Sequence, residues 1–130
     1  MRDARARALG QPGEGYVCRA ERHRLSAEGK DNLARQVRWV SKEGGASAGY
    51  YILSFSKSGE RRLLRVKTTN GPNRSPFCIT ENERRLSEKR KGIFRLTGLY
   101  DFSTEPKAFR LRAPLEAHVK LTPTHYRAAF

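Results

Sequence analysis

The sequence predicts an α/β (α+β) fold in which a mixed central sheet of about five strands is flanked by helices. Its length of 130 residues suits one domain with a single core. Five short segments are rich in aromatic and β-branched residues, and two others show helical periodicity or a helix-start motif. Because these segments follow one another as helix, three strands, helix and two strands, we expect the order αβββαββ.

The first helix is predicted from Glu14 to about residue 25, where apolar residues recur at helical spacing between charged ones. Gly29 is expected to end it, and residues 31–35 to add one further turn. Residues 1–12 are basic and contain glycine and proline, so we expect a flexible basic arm followed by a single domain over residues 13–130. The arm has no apolar segment behind it and is therefore not a signal peptide.

The first three strands are predicted at residues 37–40, 50–56 and 62–69, where β-branched and aromatic residues are frequent. Residues 42–48 are small and form a predicted loop. Residues 57–60 contain a glycine and predict a hairpin turn between the second and third strands.

Side chains on the third strand should alternate between the two faces of the sheet. Leu64 and Val66 then share one face, and Arg65 and Lys67 share the other. The pattern therefore places two cations side by side on one surface.

The second helix is predicted from a capping box in which Thr80 is the N-cap and Glu83 is the third helical residue. It is expected to stop at Gly92, with lysines and arginines in its last turn. Residues 93–102 and 107–111 read as the last two strands, and the tail from residue 114 is expected to form an irregular cover.

The charge balance points to a polyanionic partner. The chain has 27 lysines and arginines against 13 acids, a formal net charge of +14. Because the excess is spread along the whole chain, we favour nucleic acid, DNA or RNA, over a merely soluble basic surface.

The cysteines, histidines and apolar residues argue against a metal-binding protein, a disulfide-bonded protein and a membrane-spanning protein. Cys18 and Cys78 do not have metal-ligand spacing, and the three histidines are scattered, so no metal or other cofactor is expected. Two isolated cysteines suit buried thiols in a reducing, cytoplasmic compartment. No apolar run approaches the length of a membrane span.

A series of short motifs runs through nearly the whole chain in a fixed order. The motifs are Gly13-Glu14, residues 37–42, Gly49-Tyr50, residues 66–71, residues 76–80, Asn82-Glu83, residues 100–102 and Pro114-Leu115. In these residues the chain resembles the family named for the C-terminal domain of the protein NO VEIN. The predicted order of elements also resembles the αβββαβ core of the PD-(D/E)xK restriction-endonuclease-like superfamily.

That resemblance implies a metal-dependent nuclease fold. Its pattern has an acid after the Gly-Tyr pair and a second acid two residues before a lysine, and a glutamate of the first helix often joins them. Glu14 and Lys67 match the pattern, whereas Tyr51 and Arg65 stand where the two acids belong. The formal charges of these four residues sum to +1. Magnesium requires carboxylates, and a cation at about 4 Å opposes it by about 4 kcal/mol. We therefore expect a remnant site without metal and without a catalytic residue.

The same positions suit phosphate binding. Arg65 offers a planar fork, Lys67 a point charge, and the threonines and asparagine after them neutral donors. Tyr51 is expected either to stack on a base or to fill the vacated volume. The candidate nucleic-acid-binding residues are Lys42, Tyr51, Arg65, Lys67, Thr68, Thr69, Asn70 and Arg74.

Three functions are therefore open. The first is a catalytically inactive nucleic-acid-binding module, within a defence or DNA-processing complex alongside the ATPase or helicase-type proteins that the resemblance implies. The second is an active Mg²⁺-dependent nuclease that uses displaced acids, with Glu43, Glu60 or Asp101 as candidates. The third is a protein-interaction subunit of a nucleoprotein complex. Flat hydrophobic strands such as residues 93–102 would then extend the sheet of a partner, although residues of this kind more often fill the core.

Overall fold

The computed structural model describes residues 10–42, 52–124 and 128–130 and confirms the α+β class. Within these residues three helices accompany a five-stranded sheet. The elements are α1 (Gly10–Ala27), α2 (Asp31–Gln36), β1 (Arg38–Trp39), β2 (Ile52–Phe55), β3 (Arg61–Thr68), α3 (Glu81–Lys89), β4 (Phe94–Tyr100) and β5 (Lys107–Arg112). A 3₁₀ turn at Leu115–Ala117 follows β5.

The strands lie in the sheet in chain order, β1-β2-β3-β4-β5. Neighbouring strands are antiparallel except for β3 and β4, which are parallel and are connected through α3. The sheet is therefore mixed, as predicted. Strand β4 has β3 on one side and β5 on the other, so its backbone groups are already used in two ladders. Of the two roles open to residues 93–102, the structure supports filling the core, and β4 offers no free edge to a partner's sheet.

The core lies in two layers, one on each face of the sheet. We call the face covered by α1 and α2 the α1 face; its buried core residues are Val17, Cys18, Leu25, Ala34, Val37, Ile52, Phe55, Leu64, Val66 and Leu99. We call the opposite face the α3 face; its buried core residues are Phe94, Leu96 and Leu115. Leu64 and Val66 thus point to the α1 face, and the alternation predicted for the third strand is confirmed.

Helix α1 begins earlier than the sequence predicts. It starts at Gly10, so residues 10–12 of the expected arm are helical, while residues 1–9 lie outside the described residues. At Gly13 the helix backbone lies directly against the side chain of Thr68 at the end of β3, and a Cβ there would overlap Thr68 Oγ1. The absence of a side chain at Gly13 therefore permits this close approach.

The remaining elements agree with the predictions apart from their boundaries. Helix α2 occupies the expected extra turn, and β2 is shorter than the predicted strand, whose first residues lie in the undescribed segment 43–51. Cys18 is buried and Cys78 half-buried, and neither of these two described residues is in a disulfide. Among the helices of the described residues, none combines the length and apolarity that crossing a bilayer requires.

Candidate functional site

Arg65 and Lys67 of β3 meet Glu83 of α3 on the α3 face of the sheet. Lys67 Nζ lies 2.9 Å from Glu83 Oε1 and 2.9 Å from Glu83 Oε2. Arg65 Nε forms an ion pair with Glu83 Oε2. The exposed fraction is only 6% for Arg65, 8% for Lys67 and 1% for Glu83. We call these three residues the Glu83 cluster.

The position of Glu83 is fixed by the start of α3. Thr80 is the N-cap, and its side-chain oxygen accepts the Glu83 backbone N–H at 3.1 Å. Glu83 Oε1 in turn accepts the Thr80 backbone N–H at 2.7 Å, which completes the predicted capping box. One carboxylate therefore both caps α3 and pairs with two cations of β3.

The sequence predicted a helix-capping role for Glu83 but not its contact with Arg65 and Lys67. A signal for that contact was available, because charged residues in a central strand are rarely buried without a partner of opposite charge. The carboxylate that pairs with these two cations, that of Glu83, lies 16 residues after Lys67 in a different element. Only the docking of α3 on the sheet brings them together.

Glu14 belongs to a different network. It is buried, and its Oε1 accepts hydrogen bonds from Trp39 Nε1 at 2.8 Å and from Ser41 Oγ at 2.6 Å. Helix α1 carries it on the α1 face, whereas Arg65 and Lys67 point to the other face. The structure thus brings Arg65 and Lys67 together around Glu83, while the carboxylate of Glu14 is engaged elsewhere. Tyr51 lies outside the described residues.

The polar residues that follow Lys67 support the chain reversal after β3. Thr69 Oγ1 accepts the Gly71 backbone N–H at 3.0 Å, and Asn70 Oδ1 accepts the Ser103 backbone N–H at 2.8 Å. Thr68 and Thr69 are half-buried and Asn70 is exposed. The side-chain oxygens of Thr69 and Asn70 thus have local structural roles.

Lys42 and Arg74 are the exposed cations of the candidate set. Lys42 Nζ lies 4.7 Å from the centre of the Trp39 ring, within the range of a cation–π contact. Arg74 has a φ of 70°, a left-handed conformation within a loop. Both side chains can be reached by a ligand in solution.

The displaced acids do not form a metal site within the described residues. Glu60 is 67% exposed and lies 3.6 Å from Arg62, and Asp101 sits at a turn with a φ of 51°. Glu43 lies outside the described residues. In the described ranges no group of three or more histidine, cysteine, aspartate or glutamate residues is arranged to hold a metal ion.

A second concentration of positive charge, which the sequence analysis missed, lies on the α1 face of β3, β4 and β5. Strand pairing places Arg95 beside Leu64 and directly opposite Arg112, and Arg110 opposite Thr97. We call the four arginines of this region the arginine surface: Arg62, Arg95, Arg110 and Arg112. Burial, and then the positive charges of the other three arginines, lower the pKa of Arg95, while Glu60 opposes this shift.

Glu21 of α1 lies at the border of the arginine surface and is buried. It accepts hydrogen bonds from Ser54 Oγ at 2.6 Å, from Arg24 at 2.9 Å and from Arg110 at 3.3 Å. Burial raises the pKa of the Glu21 carboxyl, but the hydrogen bonds from Arg24 and Ser54 and the charges of Arg110 and Arg24 outweigh it. Its pKa therefore lies below the usual value of 4.5.

Comparison with known proteins adds one finding. Neither the search of curated proteins nor that of solved structures gives a match. The family model described as "Protein NO VEIN, C-terminal" matches residues 13–111, from the first turns of α1 almost to the end of β5. The match covers most of the chain and includes both the Glu83 cluster and most of the arginine surface, so the chain belongs to the NO VEIN C-terminal domain family.

Proposed function

We propose that this domain is a nucleic-acid-binding module that has no metal-dependent nuclease activity. The observation that carries the proposal is the Glu83 cluster, in which Arg65 and Lys67 are buried and paired with one carboxylate. The net charge of +14 supplies the attraction for a polyanion.

The absence of hydrolysis follows from what occupies the site. In the PD-(D/E)xK pattern that the sequence resembles, position 65 would carry a metal-binding acid, and here it carries a buried arginine. Glu83 is a carboxylate in contact with Lys67, and it already binds two cations and the Thr80 amide. A magnesium ion would have to displace these partners against the repulsion of both side chains. Without a metal, the Glu83 cluster lacks the Lewis acid that activates a water molecule in metal-dependent hydrolysis.

Binding is supported by the cations that remain accessible. A phosphate that reached Arg65 or Lys67 would compete with Glu83, so within the candidate set we assign the binding to the exposed members, Lys42, Asn70 and Arg74. Contacts of this kind neutralise phosphates and do not read bases. We place the module in a defence or DNA-processing complex beside an ATPase or helicase-type protein, as the resemblance implies.

The proposal is tested with the purified chain and labelled single- and double-stranded DNA and RNA. Each probe is titrated across a salt series with and without Mg²⁺ or Mn²⁺, and strand integrity is read on a denaturing gel. We expect binding that weakens steeply with salt while the strands stay intact.

Two outcomes would contradict the proposal in different ways. Metal-dependent cleavage would show that displaced acids such as Glu60 or Asp101 support a nuclease. Failure to bind any probe at low salt would instead favour an acidic protein partner for the basic surface.

A further inference from the structure

The arginine surface keeps like charges close together: Arg110 and Arg112 are exposed, Arg62 is half-buried and Arg95 is buried. Arg95 lies directly opposite Arg112 across the β4–β5 pair. Like charges at such positions destabilise a sheet. Arg95 Nη1 donates to the carbonyls of Gly92 and Phe94 at 3.1 Å and 2.8 Å, and these carbonyls carry no net charge to balance it.

Two acids partly balance the surface. Glu21 lies 3.3 Å from Arg110, and Glu60 lies 3.6 Å from Arg62. Glu21 is shared with Arg24 of α1, which adds a further positive charge at the border. The cations of this region therefore outnumber the acids that contact them.

The β5 side of the arginine surface is open. The β5 residues on the α1 face are Ala108, Arg110 and Arg112, and all three are exposed. Phe109 and Leu111, on the α3 face of the same strand, are half-buried and pack against the core. Helix α1 therefore covers the middle of the sheet and leaves this strip accessible.

We propose that the arginine surface binds the phosphodiester backbone of duplex nucleic acid. This inference rests on the proposed nucleic-acid function and gives it a contact surface distinct from Lys42, Asn70 and Arg74. Guanidinium groups bind phosphate oxygens through a planar fork. Arg110 and Arg112 are two residues apart on one strand, about 7 Å along the sheet, so their forks can engage separate phosphate groups.

The chemistry of the surface favours a duplex over a single strand. Binding of single strands relies on aromatic side chains on which bases stack, and the exposed positions of β5 on the α1 face offer an alanine and two arginines. Burial first, and then repulsion from the neighbouring arginines, lower the pKa of Arg95, and a bound phosphate would relieve that repulsion. The contact would be independent of base sequence.

The test compares two double variants that remove the same charge. Arg62→Gln with Arg112→Gln alters the arginine surface. Arg61→Gln with Arg85→Gln is the matched control, because Arg61 is an exposed residue beside Arg62 on the opposite face and Arg85 is 77% exposed on α3. Thermal unfolding of both variants verifies that they fold. Should the Arg62 change prevent folding, the exposed single changes Arg112→Glu and Arg85→Glu replace the pairs.

Binding is measured by fluorescence anisotropy with short labelled duplex DNA, duplex RNA and single strands across a salt series. We expect the Arg62/Arg112 variant to bind duplex at least about tenfold more weakly, with a salt slope smaller by about two, and the control to change by less than about threefold. Equal losses in both variants, or a preference of the wild-type chain for single strands, would overturn this inference and leave the proposed function standing. No binding by the wild-type chain would overturn both.

Discussion

Lys67 Nζ lies 2.9 Å from both carboxylate oxygens of Glu83, and this pair joins the middle of the sheet to the first turn of α3. Lys67 therefore holds a helix against a strand and has a structural role in this fold.

Removing the charge of Glu83 should destabilise the fold strongly. We expect Glu83→Ala to lower the free energy of unfolding by about 3–5 kcal/mol, because two buried cations lose this carboxylate. Glu83→Gln should come close to that loss, although glutamine also suits a capping box. The control is Thr80→Ala, which removes only the cap and should lose about 1 kcal/mol. Urea unfolding measures all three. A Glu83→Gln variant as stable as Thr80→Ala would show that the ion pairs contribute little.

Replacing each of two glycines of α1 with alanine should have different effects on stability. A Cβ at Gly13 would overlap the Thr68 side chain, whereas a Cβ at Gly10 would meet only Glu14 Oε2 at 3.8 Å. Gly13→Ala should therefore destabilise by about 1–3 kcal/mol, and Gly10→Ala should stay within about 1 kcal/mol of wild type. Thermal unfolding compares them, and equal stabilities would contradict the close approach of α1 to β3.

Glu21 should contribute stability that depends on pH. Because its folded pKa lies below its usual value of 4.5, its contribution is present above that value and is lost as pH falls through the folded pKa. Glu21→Gln should lower the free energy of unfolding by about 2 kcal/mol at neutral pH. The difference between the two proteins should shrink in acid below the usual pKa. Urea unfolding at several pH values measures this difference in unfolding free energy. A difference that does not change with pH would show that the charge of Glu21 does not stabilise the fold.

Trp39 should report ligand binding near Lys42. It is the single tryptophan of the chain, and Lys42 Nζ lies over its ring. A phosphate that draws Lys42 away should change the tryptophan fluorescence during a titration with unlabelled duplex. Lys42→Gln should abolish most of this change, whereas Lys57→Gln, an exposed lysine in the hairpin turn, should leave it intact. An identical signal in both variants would place the ligand away from Lys42.

The sequence predicted local features of the site well. The faces of β3 follow from the alternation of side chains, which is a property of the strand itself, and the Thr80–Glu83 capping box depends on residues three apart. Both features are confirmed. Whether Arg65 and Lys67 face solvent or another element depends on where α3 docks, and no local pattern in β3 contains that information.

The arginine surface also depends on how separate elements pack together, which local sequence patterns do not contain. Arg62, Arg95 and Arg112 lie far apart in the sequence and become neighbours only through the pairing of β3, β4 and β5. Arg62 and Arg95 fall within predicted strands and Arg112 lies one residue beyond the predicted fifth strand, but the order of the strands in the sheet was not predicted. The strand order also decides that β4 lies inside the sheet and not at its edge.

The most direct test of a binding module without hydrolysis is the affinity for labelled duplex DNA between about 0.05 and 0.2 M salt in the presence of Mg²⁺, with strand integrity read from the same samples. The account predicts an affinity that falls by orders of magnitude across this range while every strand remains intact. Cleaved strands, or an affinity that does not change with salt, would contradict it.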